Sequence, residues 1–193
     1  MVGSSTEAIF RESGAILEGH FRLTSGLHSP VYWEKFRVLQ FPGYTRKLCR
    51  MLSDHFAGQG VDVVAGPTVG GIILAYEVAR QLGVRGIFAE KDGAERRTFN
   101  RGFGISPGER VLVVDDILTT GKSISEVLAL VSGQGGLAVG IGVLVDRSER
   151  QPEFGVPLFS CLRSVTPAYE PKECPLCAAG IPLVKPGSSS QRV

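Results

Sequence analysis

The middle of the chain alternates between short apolar runs and longer amphipathic segments. Four runs have the length and composition of buried strands, namely 61–65, 84–89, 111–114 and 137–145. In 70–82 and 124–132, which lie between them, apolar residues recur at helical spacing. Strands and helices that alternate in this way predict an α/β fold, with a mostly parallel central sheet flanked by helices.

Shorter elements flank this pattern. Helical spacing predicts helices at 8–17 and 42–59. Short apolar stretches predict strands at 21–23, 31–36 and 156–161. A polar segment, 91–101, is predicted to be a loop. The Ser-rich end, 186–193, is predicted to be a disordered tail, which leaves 1–185 as a single domain.

Composition excludes several classes of protein. A chain of 193 residues that is 43% hydrophobic can bury one full core. The net charge of +2 and the absence of a basic stripe argue against a nucleic-acid partner. No apolar run approaches the roughly 18 residues of a membrane span, and four cysteines do not make a disulfide scaffold. We therefore expect a cytoplasmic enzyme without a membrane partner.

The strongest chemical signal is the segment 111–123, VLVVDDILTTGKS. Asp115 and Asp116 follow a buried strand, and a loop of small residues then opens a helix. Free N–H groups at a helix start bind phosphate, and two acids beside them can hold sugar hydroxyls or a hydrated divalent cation. A Walker A loop is excluded, because its spacing requires glycine where this chain has Asp116. Taken alone, the acid pair is also compatible with ordinary loop acids beside a helix cap.

A second loop, 66–71, has the sequence GPTVGG and also joins a strand to a helix. Its glycines allow backbone N–H groups to approach a ligand closely. Without further context, a tight turn explains it equally well.

These motifs together resemble the type I phosphoribosyltransferases. Segment 111–123 is similar to the motif with which that family binds 5-phosphoribosyl-1-diphosphate (PRPP). The likeness extends over about 10–185 and is strongest to the orotate-specific members, in segments 20–41, 66–72, 88–91 and 146–147. It implies the family's fold, with a small hood formed mainly by 10–40. It also implies transfer of ribose 5-phosphate from PRPP to orotate, which gives orotidine 5′-monophosphate and pyrophosphate in pyrimidine biosynthesis.

The resemblance implies a set of residues around PRPP. Asp115 and Asp116 would face the ribose and would hold Mg²⁺, the implied cofactor, indirectly. The predicted PRPP-binding residues are Thr68, Val69, Gly70, Lys91, Asp115, Asp116, Ile117, Leu118, Thr119, Thr120, Gly121, Lys122 and Ser123.

Catalysis is expected to need cations over the leaving pyrophosphate. By resemblance these come from 91–101, a loop that the neighbouring subunit of a homodimer lends, and we predict Lys91, Arg97 and Arg101 to act with the two acids. The chain departs from the family pattern at several positions. Gly70 and Thr24 stand where many members have lysine, Glu90 stands where arginine is frequent, and the loop has no histidine.

The orotate site implied by the resemblance consists of Thr24, Tyr32, Trp33, Thr119 and Arg147. Aromatic rings suit a flat heterocycle, and an arginine fork suits the orotate carboxylate. Without the resemblance, the aromatics would be a half-buried strand and Arg147 a surface cation. Two rival functions remain, a purine phosphoribosyltransferase and a regulator of the same fold that binds PRPP or a nucleotide without turnover.

Cys174 and Cys177 have the spacing of half a zinc site. A structural site needs two further ligands, whereas the histidines are remote in sequence and the other cysteines lie in apolar segments. The sequence therefore favours a plain C-terminal turn and leaves the metal site open.

Overall fold

The computed structural model describes residues 2–23, 25–93 and 96–186. Its strands are β1 (Ile16–Arg22), β2 (His28–Trp33), β3 (Val63–Pro67), β4 (Arg85–Lys91), β5 (Arg97–Thr98), β6 (Arg110–Leu118), β7 (Leu137–Asp146) and β8 (Leu158–Arg163). Its α-helices are α1 (Val2–Glu12), α2 (Phe36–Leu39), α3 (Pro42–Phe56), α4 (Gly70–Leu82), α5 (Lys122–Gly133) and α6 (Pro175–Ala178). Short 3₁₀ turns follow at Ala57–Gln59 and Pro171–Glu173.

Six strands form the central sheet, in the order β5-β4-β3-β6-β7-β8. All neighbours are parallel except β4 and β5, which are antiparallel. Helices cover both faces. The predicted α/β architecture is therefore confirmed, and the carboxyl ends of the parallel strands lie along one edge, where ligands bind in such sheets.

The core has two halves, one on each face of the sheet, and β6 contributes to both. Leu112 and Val114 pack with α3 and α4, whereas Val111 and Val113 pack with α5. This alternation is the period of two that a strand requires. It explains why the run 111–114 is apolar at every position.

The hood is a separate antiparallel pair, β1 and β2. The end of the chain returns to it, since β-bridges join Phe21 to Val184 and His28 to Tyr169. A two-stranded sheet is marginally stable alone, so these contacts matter for the hood.

Two predictions about the hood are wrong. The predicted helix 8–17 ends at Glu12, because Gly14 takes a φ of +67° and reverses the chain, and the next apolar residues enter β1. The predicted strand 31–36 ends at Trp33, and Phe36 begins α2. In both cases a short apolar stretch fits the helical period as well as the strand period, and the position of the turn determines which element forms.

The segment 91–101 was predicted to be a loop, but it contains the short strand β5. Lys91 pairs with Arg97 and Glu90 with Thr98, so β5 forms a hairpin with β4. Phe99, which follows, is buried in the core on the α5 side. The segment therefore packs on its own sheet, and Ala94 and Glu95 at the hairpin tip lie outside the described residues.

Elements in the middle of the chain match their predictions closely. Helix α4 has the predicted bounds, and α3 differs only in its last turn. In the described part of the chain, no helix combines the length and apolarity needed to cross a bilayer. The predicted disordered tail lies outside the described residues except for Pro186.

Candidate active site

Two buried carboxylates occupy the carboxyl end of β6. Asp115 accepts hydrogen bonds from the Ser123 hydroxyl at 2.7 Å and from the N–H of Asp116 at 2.8 Å. Burial, followed by the neighbouring charge of Asp116, raises the pKa of Asp115 to about 7. The site therefore holds an acid that a cation or sugar hydroxyls can stabilise in its charged form.

Lys35 compensates the second carboxylate. Its Nζ lies 3.0 Å from Oδ1 and 2.8 Å from Oδ2 of Asp116, and the N–H of Ile117 donates to Oδ1 at 2.7 Å. Lys35 follows β2, so this ion pair joins the hood to the central sheet. The sequence analysis missed Lys35, whose only signal was a cation two residues after the aromatic pair of the hood strand.

The loop between β6 and α5 has the form of an anion cradle. The N–H groups of Thr119, Thr120 and Gly121 have no hydrogen-bond acceptor among the described residues, and both threonines are exposed. Gly121 has a φ of +77°, and a Cβ there would approach the Phe154 ring to 2.7 Å. N–H groups that lack a protein acceptor at the positive end of a helix can bind phosphate.

Ile117 and Leu118 precede that loop but direct their side chains into the core. Leu118 is buried on the α5 side, and Ile117 packs against the opposite half of the core. The structure therefore leaves only their main-chain atoms for the PRPP contact predicted for them. Lys122, in contrast, is 79% exposed in its side chain at the start of α5.

The loop after β3 places Thr68, Val69 and Gly70 beside the acids. Thr68 donates its N–H to the carbonyl of Ala89 at 3.0 Å, and Val69 is 63% exposed. A Cβ on Gly70 would overlap the Asp116 carboxylate. With Asp116 paired to Lys35, this position has no room for a lysine, and Lys35 supplies a cation at the same carboxylate.

Arg97, predicted to act over the leaving pyrophosphate, is held by an ion pair within its own chain. Its side chain is 8% exposed, its Nε is 2.9 Å from Glu126 of α5, and an Nη lies 3.4 Å from the Thr68 hydroxyl. Arg97 therefore supports the loop at Thr68 from beneath and is fixed within its own chain.

Arg101 also has a partner. It forms a two-point ion pair with Glu90, both distances being 2.9 Å, and each side chain holds the other in its charged state by lowering the pKa of Glu90 and raising that of Arg101. The presence of glutamate at position 90 is thereby explained. Lys91 ends β4 on the surface beside the hairpin tip.

Arg147 lies beside the phosphate loop, after β7. Its N–H donates to the Leu118 carbonyl at 2.8 Å, and Asp146 anchors the turn by accepting from the N–H and hydroxyl of Ser148. The guanidinium is partly buried, which lowers its pKa, and its Nε has no hydrogen-bond partner. In the described ranges it has no ion pair, so a buried cation remains to be neutralised by an anion.

Tyr32 is the hood residue that faces this cation. Burial raises its pKa, and the nearby charges of Lys35 and Arg147 oppose that shift. Trp33, which was predicted to contact orotate, is instead 6% exposed and packs edge-on against Phe10 in the core. Successive strand residues point to opposite faces, so only one of the pair can meet a ligand. Thr24 lies outside the described residues.

Comparison with known proteins identifies the family. The phosphoribosyl transferase domain matches residues 40–162. An orotate phosphoribosyltransferase of Pelotomaculum thermopropionicum is 54% identical over 181 residues, which are 94% of this chain and 95% of the relative. The chain belongs to the orotate phosphoribosyltransferase family. It is therefore an enzyme of the pentosyltransferase class.

Solved structures agree with that family at the level of the fold. The orotate phosphoribosyltransferase of Aeropyrum pernix aligns with a TM-score of 0.69 and 29% identity, covering 81% of this chain and 92% of its own. An adenine phosphoribosyltransferase of Thermoanaerobacter pseudethanolicus aligns with a TM-score of 0.63 and 22% identity, covering 69% and 88%. Since an enzyme named for adenine has this fold too, the base must be read from site residues such as Arg147.

Proposed function

We propose that this orotate phosphoribosyltransferase family member transfers the 5-phosphoribosyl group of PRPP to orotate, forming orotidine 5′-monophosphate and pyrophosphate in pyrimidine biosynthesis. The observation that carries the proposal is Arg147, a partly buried guanidinium beside the phosphate loop that has no carboxylate partner among the residues the structure describes. Orotate has a carboxylate in the plane of its ring, whereas purines and uracil have none. A guanidinium fork binds such a group through two parallel hydrogen bonds.

Each part of the site then has a role. The N–H groups of 119–121 with Lys122 bind the 5-phosphate, and Asp115 and Asp116 hold the ribose hydroxyls. The loop at 68–70 receives the pyrophosphate, and Tyr32 covers the orotate ring. The orotate ring nitrogen gives up its proton to water and bonds to the anomeric carbon, while the bond from that carbon to the pyrophosphate oxygen breaks and pyrophosphate leaves with the electron pair. No enzyme nucleophile is needed. Positioning and charge stabilisation supply the rate.

Mg²⁺ is the proposed cofactor, and the donor set fits an indirect role. Both oxygens of Asp116 lie within 3.0 Å of the Lys35 ammonium, and Asp115 already accepts the Ser123 hydroxyl. Such carboxylates suit a hydrated ion held mainly by PRPP oxygens rather than an all-protein cage. Bound there, Mg²⁺ would neutralise charge on the leaving pyrophosphate.

A homodimer with shared sites is also proposed. Helix α4 and the turn before it present Val69, Ile73 and Tyr76 to solvent, 63%, 38% and 69% exposed, at the spacing of one helical face. An apolar stripe beside the pyrophosphate loop supports an interface there. The cations that would close over the partner's site are Lys91 and Arg96, since both are exposed beside the hairpin tip. The cytoplasmic location stays a prediction.

The test measures turnover and binding separately. In the presence of PRPP and Mg²⁺, an absorbance assay should show that orotate is consumed. Neither uracil nor adenine should serve as a substrate in place of orotate. Arg147→Ala should weaken orotate binding by roughly 30- to 1,000-fold, because a charge-assisted pair worth about 2–4 kcal/mol is lost. PRPP binding, measured by calorimetry, should change little.

Arg150→Ala is the matched control, since Arg150 is exposed three residues further along. It should bind both substrates normally. Equal losses of orotate and PRPP affinity in Arg147→Ala would contradict the assigned role. A folded wild-type enzyme without turnover, but with PRPP affinity, would favour the regulator instead.

A further inference from the structure

Four metal-ligating side chains outside the active site converge at the base of the hood. They are His20 of β1, His28 of β2, and Cys174 and Cys177 at either end of the first turn of α6. Their nitrogen and sulfur atoms all lie within 4.8 Å of one another. Three of the four residues are buried, with only Cys177 exposed.

We propose that these four residues form a tetrahedral Cys₂His₂ site for a structural Zn²⁺ ion. The site goes beyond the proposed transferase activity and uses none of the described residues assigned to it. It would fasten the end of the chain to the hood.

The distances fit this geometry. With Zn–N of 2.0–2.1 Å and Zn–S of 2.3 Å, tetrahedral angles require N–N separations of about 3.3 Å and N–S separations of about 3.6 Å. The structure has 3.0 Å between His20 Nε2 and His28 Nδ1. From His20 Nε2 to the sulfurs of Cys174 and Cys177 it has 3.5 and 3.7 Å, and from His28 Nδ1 to Cys177 Sγ it has 3.3 Å.

Hydrogen bonding within the cluster does not explain its arrangement. The Nδ1 of His20 lies 2.7 Å from the Ile181 carbonyl, which only accepts, so Nδ1 carries the proton and Nε2 presents one lone pair. Three polar atoms crowd around that lone pair, although it can accept one good hydrogen bond. A cation at the centre satisfies all of them, and the Ile181 contact orients the ring as an outer partner of a metal-bound histidine does.

Charge and chemistry favour zinc over harder ions. Thiolates and neutral imidazoles select zinc among the ions that take closed tetrahedral sites, whereas Mg²⁺ prefers oxygen. Binding expels the two thiol protons, and two thiolates with Zn²⁺ give a site of zero net charge. A neutral centre suits its mostly buried position.

The location also indicates which contacts the ion would stabilise. The N–H of Arg22 donates to the Val184 carbonyl at 2.9 Å, and the N–H of Val184 donates to the His20 carbonyl at 2.8 Å. His28 and Tyr169 exchange two further backbone bonds. A metal bound by both hood strands and α6 would stabilise this junction between β1, β2 and the chain segments that contain Tyr169 and Val184.

The test needs no substrate, so it is independent of the proposed function. Protein purified under reducing conditions should contain about one zinc per chain by elemental analysis. The metal-free protein should take up Co²⁺ with the visible absorption of a tetrahedral thiolate site. In Cys177→Ser, which changes an exposed side chain, the zinc should be lost to a mild chelator and the thiolate-to-cobalt band should weaken. Chelation should lower the melting temperature of the wild type far more than that of the variant.

Cys161→Ser and His55→Gln are the matched controls. Cys161 donates to the Leu48 carbonyl in the core, and His55 stacks on Phe159, both away from the cluster. Both variants should retain the zinc. A folded wild type that contains no zinc and gives no tetrahedral cobalt spectrum would overturn the proposal, as would a different metal at full occupancy or equal retention in Cys177→Ser.

Discussion

The buried carboxylate of Asp115 lowers the stability of the unliganded protein, and a bound ligand can remove that destabilisation. Its carboxyl is withdrawn from water next to Asp116, so its pKa rises from the ordinary value of 3.8 to about 7. Between these two values the folded protein binds a proton that the unfolded chain has released. Stability therefore falls as the pH rises through this range, and the loss persists at higher pH.

Asp115→Asn should accordingly stabilise the unliganded protein at about pH 8, by on the order of 2–4 kcal/mol, and by much less at about pH 5. The amide keeps an acceptor for the N–H of Asp116 and a donor for Ser123. Thermal unfolding at both pH values measures the difference. Asp54→Asn, at an exposed acid on α3, is the control and should show no such pH dependence. A variant equally destabilised at both pH values would contradict the buried-charge account.

At the residue scale, sequence could place side chains where local order along the chain determines their position. The acids lie near the carboxyl end of β6, the small-residue loop follows β6, and Arg147 follows β7. They converge because parallel strands end at one edge of the sheet. Both Tyr32 and Trp33 were assigned to the orotate site, although side-chain alternation along the predicted strand 31–36 allows only one of them to face a ligand. Which of the two lies in the core was not evident from the sequence. Lys35 was missed, because its partner Asp116 is remote in sequence and nothing local identifies the pair.

At the scale of elements, the two ends of α5 allow a matched comparison. Gly121→Ala would place a Cβ at 2.7 Å from Phe154 and strain a φ of +77°, so it should cost about 1–3 kcal/mol and weaken PRPP binding. Gly133→Ala, at the other end, meets open space and should be neutral or stabilising by up to about 1 kcal/mol. Denaturant unfolding and PRPP calorimetry provide the readouts. Normal PRPP affinity in Gly121→Ala would contradict the cradle.

Elements with a strong hydrophobic periodicity were predicted more accurately than short elements with a weak one. Helix α4 and strand β7 have strong patterns and were located well. Strand β6 was predicted too short, since it continues beyond 111–114 to Leu118 and includes Asp115 and Asp116. The first helix was extended too far, because Ile16 and Leu17 satisfy both a helical and a strand pattern until Gly14 is seen to turn the chain. Strand β5 has two residues, and its pairing with β4 depends on tertiary contact that no local pattern records.

For the whole molecule, the least predictable features join distant parts of the chain. The histidines of the hood precede the cysteines of α6 by about 150 residues, so the sequence alone favoured a plain turn there. Only the return of the chain end along β1 and β2 brings the four ligands together. The active site also joins distant parts of the chain, since the ion pair of Lys35 with Asp116 links the hood to the central sheet.

Assembly can be tested by combining two inactive variants. Asp115→Asn/Asp116→Asn should lose turnover through its own acids, and Lys91→Ala/Arg96→Ala should lose it through the hairpin tip. If the tip acts on the partner's site, a mixed dimer has one site with intact acids and an intact tip. Random exchange should then restore roughly a quarter of wild-type activity, because half of the dimers are mixed and each has one working site.

Arg97 is left unchanged in this test, since it is fixed within its own chain and its loss would disturb the loop at Thr68. Arg101→Ala serves as the control, because Arg101 is exposed and paired with Glu90, and this variant should stay active alone. Subunit exchange is verified by tagging one variant and recovering mixed dimers. Mixed dimers without activity would place the hairpin over the site of its own chain, because then no chain in the mixture would have both intact acids and an intact tip.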